Sequence, residues 1–144
     1  MKTENSQEGE MQIWKDTEVT IEGKTSKIRA LVDTGSTITL MGYEKLKKFF
    51  GEIKTKMLVR PIGAAFLNGQ KIVVDSYIDA QISINSYLIE ERIYLSKGIV
   101  REVILEGEHK SLPDLIIGVT TLEIRGLELD LKRGEIVYRG SFVL

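Results

Sequence analysis

The residues best placed to do chemistry lie together. Ala30-Leu31-Val32 runs apolar into Asp33, and Thr34-Gly35-Ser36-Thr37 follows before Ile38-Thr39-Leu40 becomes largely apolar again. A carboxylate at the end of an apolar strand must be functional or well satisfied. Gly35 permits a sharp backbone turn beside it, while Thr34, Ser36 and backbone N–H groups can organise hydrogen bonds around it. Such a cradle fixes the direction of a carboxylate, as general acid–base chemistry on a bound water requires. Asp-Thr-Gly alone arises by chance in roughly a few per cent of chains this long, and the plain alternative is an Asx-type turn between strands. The surrounding sequence has to decide between them.

Composition removes several other chemistries. The 144 residues include one histidine and no cysteine, so disulfides, thiol catalysis and cysteine-ligated metal sites are excluded. His109 stands in the polar stretch Glu106 to Ser111, isolated from the partners of a Ser-His-Asp triad or a histidine-rich metal site, and reads as surface loop. No metal or cofactor is expected. Lysine and arginine total 20 against 21 acidic residues, a net charge of −1, which offers no overall field for nucleic acid or an anionic membrane. Lys45, Lys47 and Lys48 read as the solvated face of a short helix. Charged residues break every apolar run well before the roughly 18 residues of a membrane span, and residues 1–10 have no signal-peptide core. The expectation is a cytoplasmic protein with a disordered tail over 1–10 and a single domain over 11–144.

The elements that must position Asp33 read mostly as strands. Val19 and Ile21 lead into Glu22-Gly23-Lys24, and Ile28, Ala30 and Val32 alternate with Lys27, Arg29 and Leu31, which predicts a hairpin ending at Asp33. From Ile72 onward Val74, Ile78, Ala80, Ile82 and Ile84 form one apolar face, broken only by Ser76, over a length that predicts a long curving strand. Asn68-Gly69 before it is a two-residue hairpin signal, so Ile62 to Leu67 should pair back across it. Leu127, Leu129 and Leu131 alternate with polar residues, and Arg133-Gly134 turns the chain into Ile136-Val137-Tyr138, another hairpin. Helices are expected over Gly42 to Phe50, ended by Gly51, and over Thr120 to Arg125. Lys97 to Ser111 fits a strand with a polar loop. Trp14 reads as a strand anchor. The fold class is all-β: a small closed barrel with one or two short helices.

In order, Asp33 to Ser36 at a strand end, the Asn68-Gly69 hairpin and the apolar-apolar-Gly segment Ile116-Ile117-Gly118 resemble the retropepsin-like aspartic proteases, most closely the cellular and prokaryotic members. Leu112-Pro113-Asp114 and the Leu127 to Tyr138 hairpin add to the resemblance, which spans Val19 to Tyr138. The sequence departs from viral members in carrying Thr37 and Ile38 where an acidic residue usually follows the motif, and Val119 where Arg follows the downstream glycine. Many cellular members place Asp where this chain has Thr120.

The resemblance implies a homodimer in which each chain supplies one catalytic aspartate. Two carboxylates held face to face share one proton, so that one acts as general base on a water while the other polarises the scissile carbonyl. One motif per chain then requires a two-fold axis joining Asp33 to its copy. By the same resemblance Thr34 locks the two loops together and Gly35 holds the substrate backbone close. Ser36, Ala65, Phe66, Leu67, Asn68, Gly69 and Ile116 contact an extended polypeptide, with a flap from Ile62 to Ile72. Ile117 divides evenly between pocket wall and plain core, and Ser141 to Leu144 between dimer contact and packing on its own barrel. A non-catalytic dimerisation or peptide-binding module with this fold is the main alternative. The phosphate loop of sugar-kinase and actin-like ATPases shares Asp33 to Thr37, but this chain lacks the length and βαβ pattern those enzymes need.

Overall fold

The computed structural model describes residues 12–65, 71–96, 102–105, 108–111 and 113–140. The expected tail over 1–10, the hairpin tip with Phe66, Leu67, Asn68 and Gly69, and the segment Ser141 to Leu144 lie outside the described residues. Strand β1 (Gln12–Ile21) pairs antiparallel with β2 (Lys24–Asp33), as the alternation predicts. Glu22 and Gly23 join them, both at positive φ (51° and 79°), the twist a tight hairpin needs.

β3 (Thr39–Gly42) leads into α1 (Tyr43–Phe50), which buries Leu46 and Phe50 and ends at Gly51, φ 77°. β4 (Lys56–Ala65) and the long β5 (Lys71–Ile84) form the next hairpin. β5 pairs with β6 (Tyr87–Ser96) across Asn85-Ser86, again both at positive φ. After the small β7 (Glu102–Leu105) and β8 (Glu108–Ser111) ribbon come β9 (Leu115–Gly118), α2 (Val119–Ile124) and the hairpin β10 (Leu127–Asp130) with β11 (Glu135–Tyr138).

The main sheet runs β1-β2-β9-β3-β6-β5-β4, and β1 also pairs with β5. That second pairing, from Thr17↔Ile84 to Thr20↔Gln81, closes six strands into a barrel and leaves β4 outside the ring. The interior holds Val19, Ile21, Ile28, Val32, Ile82, Ile84, Ile93, Leu95, Leu115 and Ile117, with Leu46, Leu122 and Leu127 closing around them. Each fully buried Ile or Leu contributes about 1.5–3 kcal/mol. The ring is therefore a packed core.

Several local expectations change. The even positions of β5 are buried throughout, yet they do not share one core. Val74 pairs with Ser96 and Ser76 with Leu95, so β5 carries one extra residue between them. Such a bulge re-aims the strand. Ile78 to Ile84 thus face the barrel interior, while Ile72 and Val74 join a second cluster with Leu40 and Ile116. On its other edge β5 pairs Ser76 with Met57 and Val74 with Ile62, which leaves Leu58, Val59, Arg60 and Pro61 against Asp75. Pro61 has no amide to give a ladder.

The β4–β5 register also differs from a two-residue Asn68-Gly69 turn. Such a turn would pair Ala65 with Ile72, whereas Ala65 pairs with Lys71 and Ile62 with Val74. Cross-strand partners share a face, and this register puts Ile62 on the side of Val74 in the second cluster, apolar residue against apolar residue; the turn itself lies outside the described residues. His109 lies in β8 opposite Ile104, not in a loop. Leu131 falls in the turn after β10 and is exposed. Trp14 sits half-exposed on the outer side of β1 with the Arg29 guanidinium 5.5 Å from its ring centre. Among the described residues no helix is long and apolar enough to cross a membrane.

Candidate active site

Asp33 is the last residue of β2, half-buried, and its register neighbours are Gln12 on β1 and Gly118 on β9. The chain turns at once: Ser36 N–H donates to the Asp33 backbone carbonyl over 3.0 Å, and Gly35 N–H donates to Asp33 Oδ1 over 2.9 Å. The carboxylate is thus oriented by its own loop, with Oδ1 engaged. Ser36 does not contribute its hydroxyl to this cradle. Ser36 Oγ donates to the Ile38 carbonyl over 2.7 Å and stiffens the return of the loop toward β3.

β9 backs the loop. Val119 N–H donates to the Ser36 carbonyl over 3.2 Å. Gly118 lies so close that a Cβ there would stand 2.8 Å from the carbonyl oxygens of both Ser36 and Ile38. Gly118 N–H donates to Thr39 Oγ1 over 3.3 Å inside the barrel wall. The sequence singled out Gly118 through its motif but missed Thr39, whose only signal was a threonine between Ile38 and Leu40. An ion pair of 2.6 Å between Lys45 on α1 and Asp114 holds the approach to β9. Lys47 and Lys48 lie over the rings of Tyr43 and Phe49 at 5.9 and 5.6 Å, on the outer side of the helix.

Alternation along β9 separates its two isoleucines. Ile117 faces the barrel core, completely buried. Ile116, next to Leu31 on β2 and Leu40 on β3, belongs to the second cluster with Ile72 and Val74, against which Leu58, Ile62 and Tyr94 pack. The strands leading to the hairpin tip therefore share one apolar patch with Ile116. Ala65 is the last paired residue of β4, and Thr34 is half-buried beside Asp33.

Neither the polar groove of about 710 Å³ beside Glu90, Glu91, Arg92 and Arg125 nor the one beside Asp16, Lys27 and Ser83 reaches the Asp33 loop. Among the described residues no group of three or more histidines or carboxylates is placed to hold a metal ion.

Known structures share this architecture. The retroviral protease-like domain of Ddi1 from Leishmania major superposes with a TM-score of 0.57 at 18% identity, covering 91% of this chain and 94% of that one. The EIAV protease in complex with the inhibitor HBY-793 superposes with a TM-score of 0.52 at 13% identity, covering 81% and 89%. No family model and no curated protein matches the sequence. The closed barrel with its outlying hairpin and the glycine-backed loop define a retropepsin-like fold. In architecture the chain is similar to the retroviral protease-like domains among these structures.

Proposed function

We propose that the chain is one subunit of a homodimeric aspartic endopeptidase, with Asp33 of each copy forming the catalytic dyad. The observation that carries this reading is the Asp33 loop. An acidic residue ends a barrel strand of a retropepsin-like fold, with one carboxylate oxygen fixed by Gly35 N–H at 2.9 Å and the loop backed by Gly118.

Two such loops facing each other across a two-fold axis would share one proton. The ionised member takes a proton from a bound water as that water attacks the peptide carbonyl, and the protonated member hydrogen-bonds the carbonyl oxygen. Thr34 joins the loops, Gly35 and Ser36 line the floor, and Ile116 walls a side-chain pocket. The hairpin carrying Ala65, Phe66, Leu67, Asn68 and Gly69 covers an extended peptide through strand-like hydrogen bonds. No metal or covalent intermediate takes part.

The test compares wild type with Asp33→Asn for cleavage of an unstructured protein from acidic to neutral pH. The substitution keeps shape and removes the shared proton, so hydrolysis should vanish while the fold persists. Equal activity in the two proteins sinks the assignment. A folded dimer that cleaves nothing would instead be a peptide-binding or dimerisation module.

A further inference from the structure

Four groups from four different elements form one line of hydrogen bonds leading away from the candidate site. Gly118 N–H at the end of β9 donates to Thr39 Oγ1 on β3 over 3.3 Å. Thr39 Oγ1 lies 3.4 Å from Thr121 Oγ1 on α2. Thr121 Oγ1 in turn donates to Glu91 Oε2 on β6 over 2.5 Å. Thr39 is inaccessible and Thr121 is 6% exposed. Glu91 is half-buried and lines the open groove with Glu90, Arg92 and Arg125.

The chemistry of the last member sets the direction of the line. An ionised carboxylate only accepts, so Thr121 gives its hydrogen to Glu91 and keeps its oxygen free to accept from Thr39. Thr39, having donated, has lone pairs for Gly118 N–H. Each hydroxyl is thereby used once as donor and once as acceptor. Without the carboxylate, neither buried hydroxyl has a fixed orientation, and the low-dielectric interior makes the loss felt along the line.

The other end is the amide of the residue that holds the Asp33 loop. Gly118 is opposite Asp33 in the β2–β9 register and presses on Ser36 and Ile38 with no room for a methyl group. A shift of Gly118 must therefore move the loop. Glu91 itself stands on the inward-facing side of β6, in line with Ile89 and Ile93, both buried. A carboxylate is costly there without a donor, and Thr121 supplies one.

We propose that Glu91 is a positioning residue: through Thr121 and Thr39 it fixes the Gly118 amide and so the loop that presents Asp33. The inference rests on the proposed protease reading for its catalytic consequence, but not for its structural one. The experiment uses the full chain with Glu91→Leu, Glu91→Gln and Thr121→Val, the last replacing the hydroxyl with a methyl group of similar size. Two kinds of readout are used: the amide resonances of Gly35 and Gly118, and the kinetic constants kcat and KM on a peptide substrate. Glu91→Leu and Thr121→Val should shift both resonances and lower kcat by roughly 10-fold or more while KM stays put. Glu91→Gln, whose amide oxygen still accepts, should recover most of both. Unmoved resonances in the first two variants, a kcat loss that only follows the folded fraction, or a Gln variant as impaired as the Leu variant would overturn the proposal. If the wild type cleaves nothing, the protease reading falls and the resonances alone decide the role of Glu91.

Discussion

A methyl group on Gly118 would stand 2.8 Å from the carbonyl oxygen of Ser36, well inside the separation at which carbon and oxygen pack without repulsion. The φ of Gly118 is −77°, which any residue adopts, so glycine is required here for space and not for conformation. Gly118→Ala should cost about 1–3 kcal/mol and displace the Asp33 loop. Urea denaturation together with peptide cleavage checks this. A variant as stable and as active as wild type would show that the loop can retreat harmlessly.

Ser76 is 1% exposed at the β5 bulge, and its hydroxyl has no hydrogen-bond partner among the described residues. Burying a lone hydroxyl costs stability, so Ser76→Ala should raise the urea midpoint, by roughly 1 kcal/mol of stability, with an unchanged slope. A loss of that size would mean that a bridging water satisfies the hydroxyl.

Thr34→Val tests the dimer. If the Thr34 hydroxyls bridge the two loops, the substitution should raise the dimer dissociation constant roughly tenfold, the equivalent of about 1.4 kcal/mol, and reduce activity more at low than at high protein concentration. Sedimentation analysis showing an active monomer would exclude the two-fold dyad.

The paired backbones of β4 and β5 converge on residues 66–70. On the proposed function, Phe66 and Leu67 would cover the substrate, which would account for their apolar character. Replacing both by Ala should raise KM or lower turnover and leave thermal stability nearly unchanged. Loss of several kcal/mol, on the order of an emptied core site, with normal cleavage by the remaining folded protein, would make this hairpin core.

Alternation and punctuation made much of the fold legible. The β1–β2 hairpin ending at Asp33, the length of β5, the α1 stop at Gly51 and the second hairpin near the end all follow from period-two apolar residues and glycine. The motif located the loop and Gly118. What the sequence hid is non-local. The pairing of Thr17 with Ile84 that closes the barrel leaves no trace in either strand's pattern. The bulge beside Ser76 splits a continuous alternation between two clusters, and the only hint was the one serine in an apolar series. Glu91 looked like any surface glutamate, because its tie to Thr121 depends on how α2 packs on the barrel.

The parallel pairing of β2 with β9 also bears on when the site can exist. Asp33 ends a strand made early, whereas its supporting neighbour, from Leu115 to Gly118, is made late. Between them lie β3 to β6, which supply three of the six ring strands. A ladder joining such distant segments requires the intervening loop to be closed, at an entropic cost. On the ribosome, a nascent chain that has not yet released residue 118 has no wall behind its aspartate loop. Assembly of the site is thereby tied to near-complete synthesis of the domain.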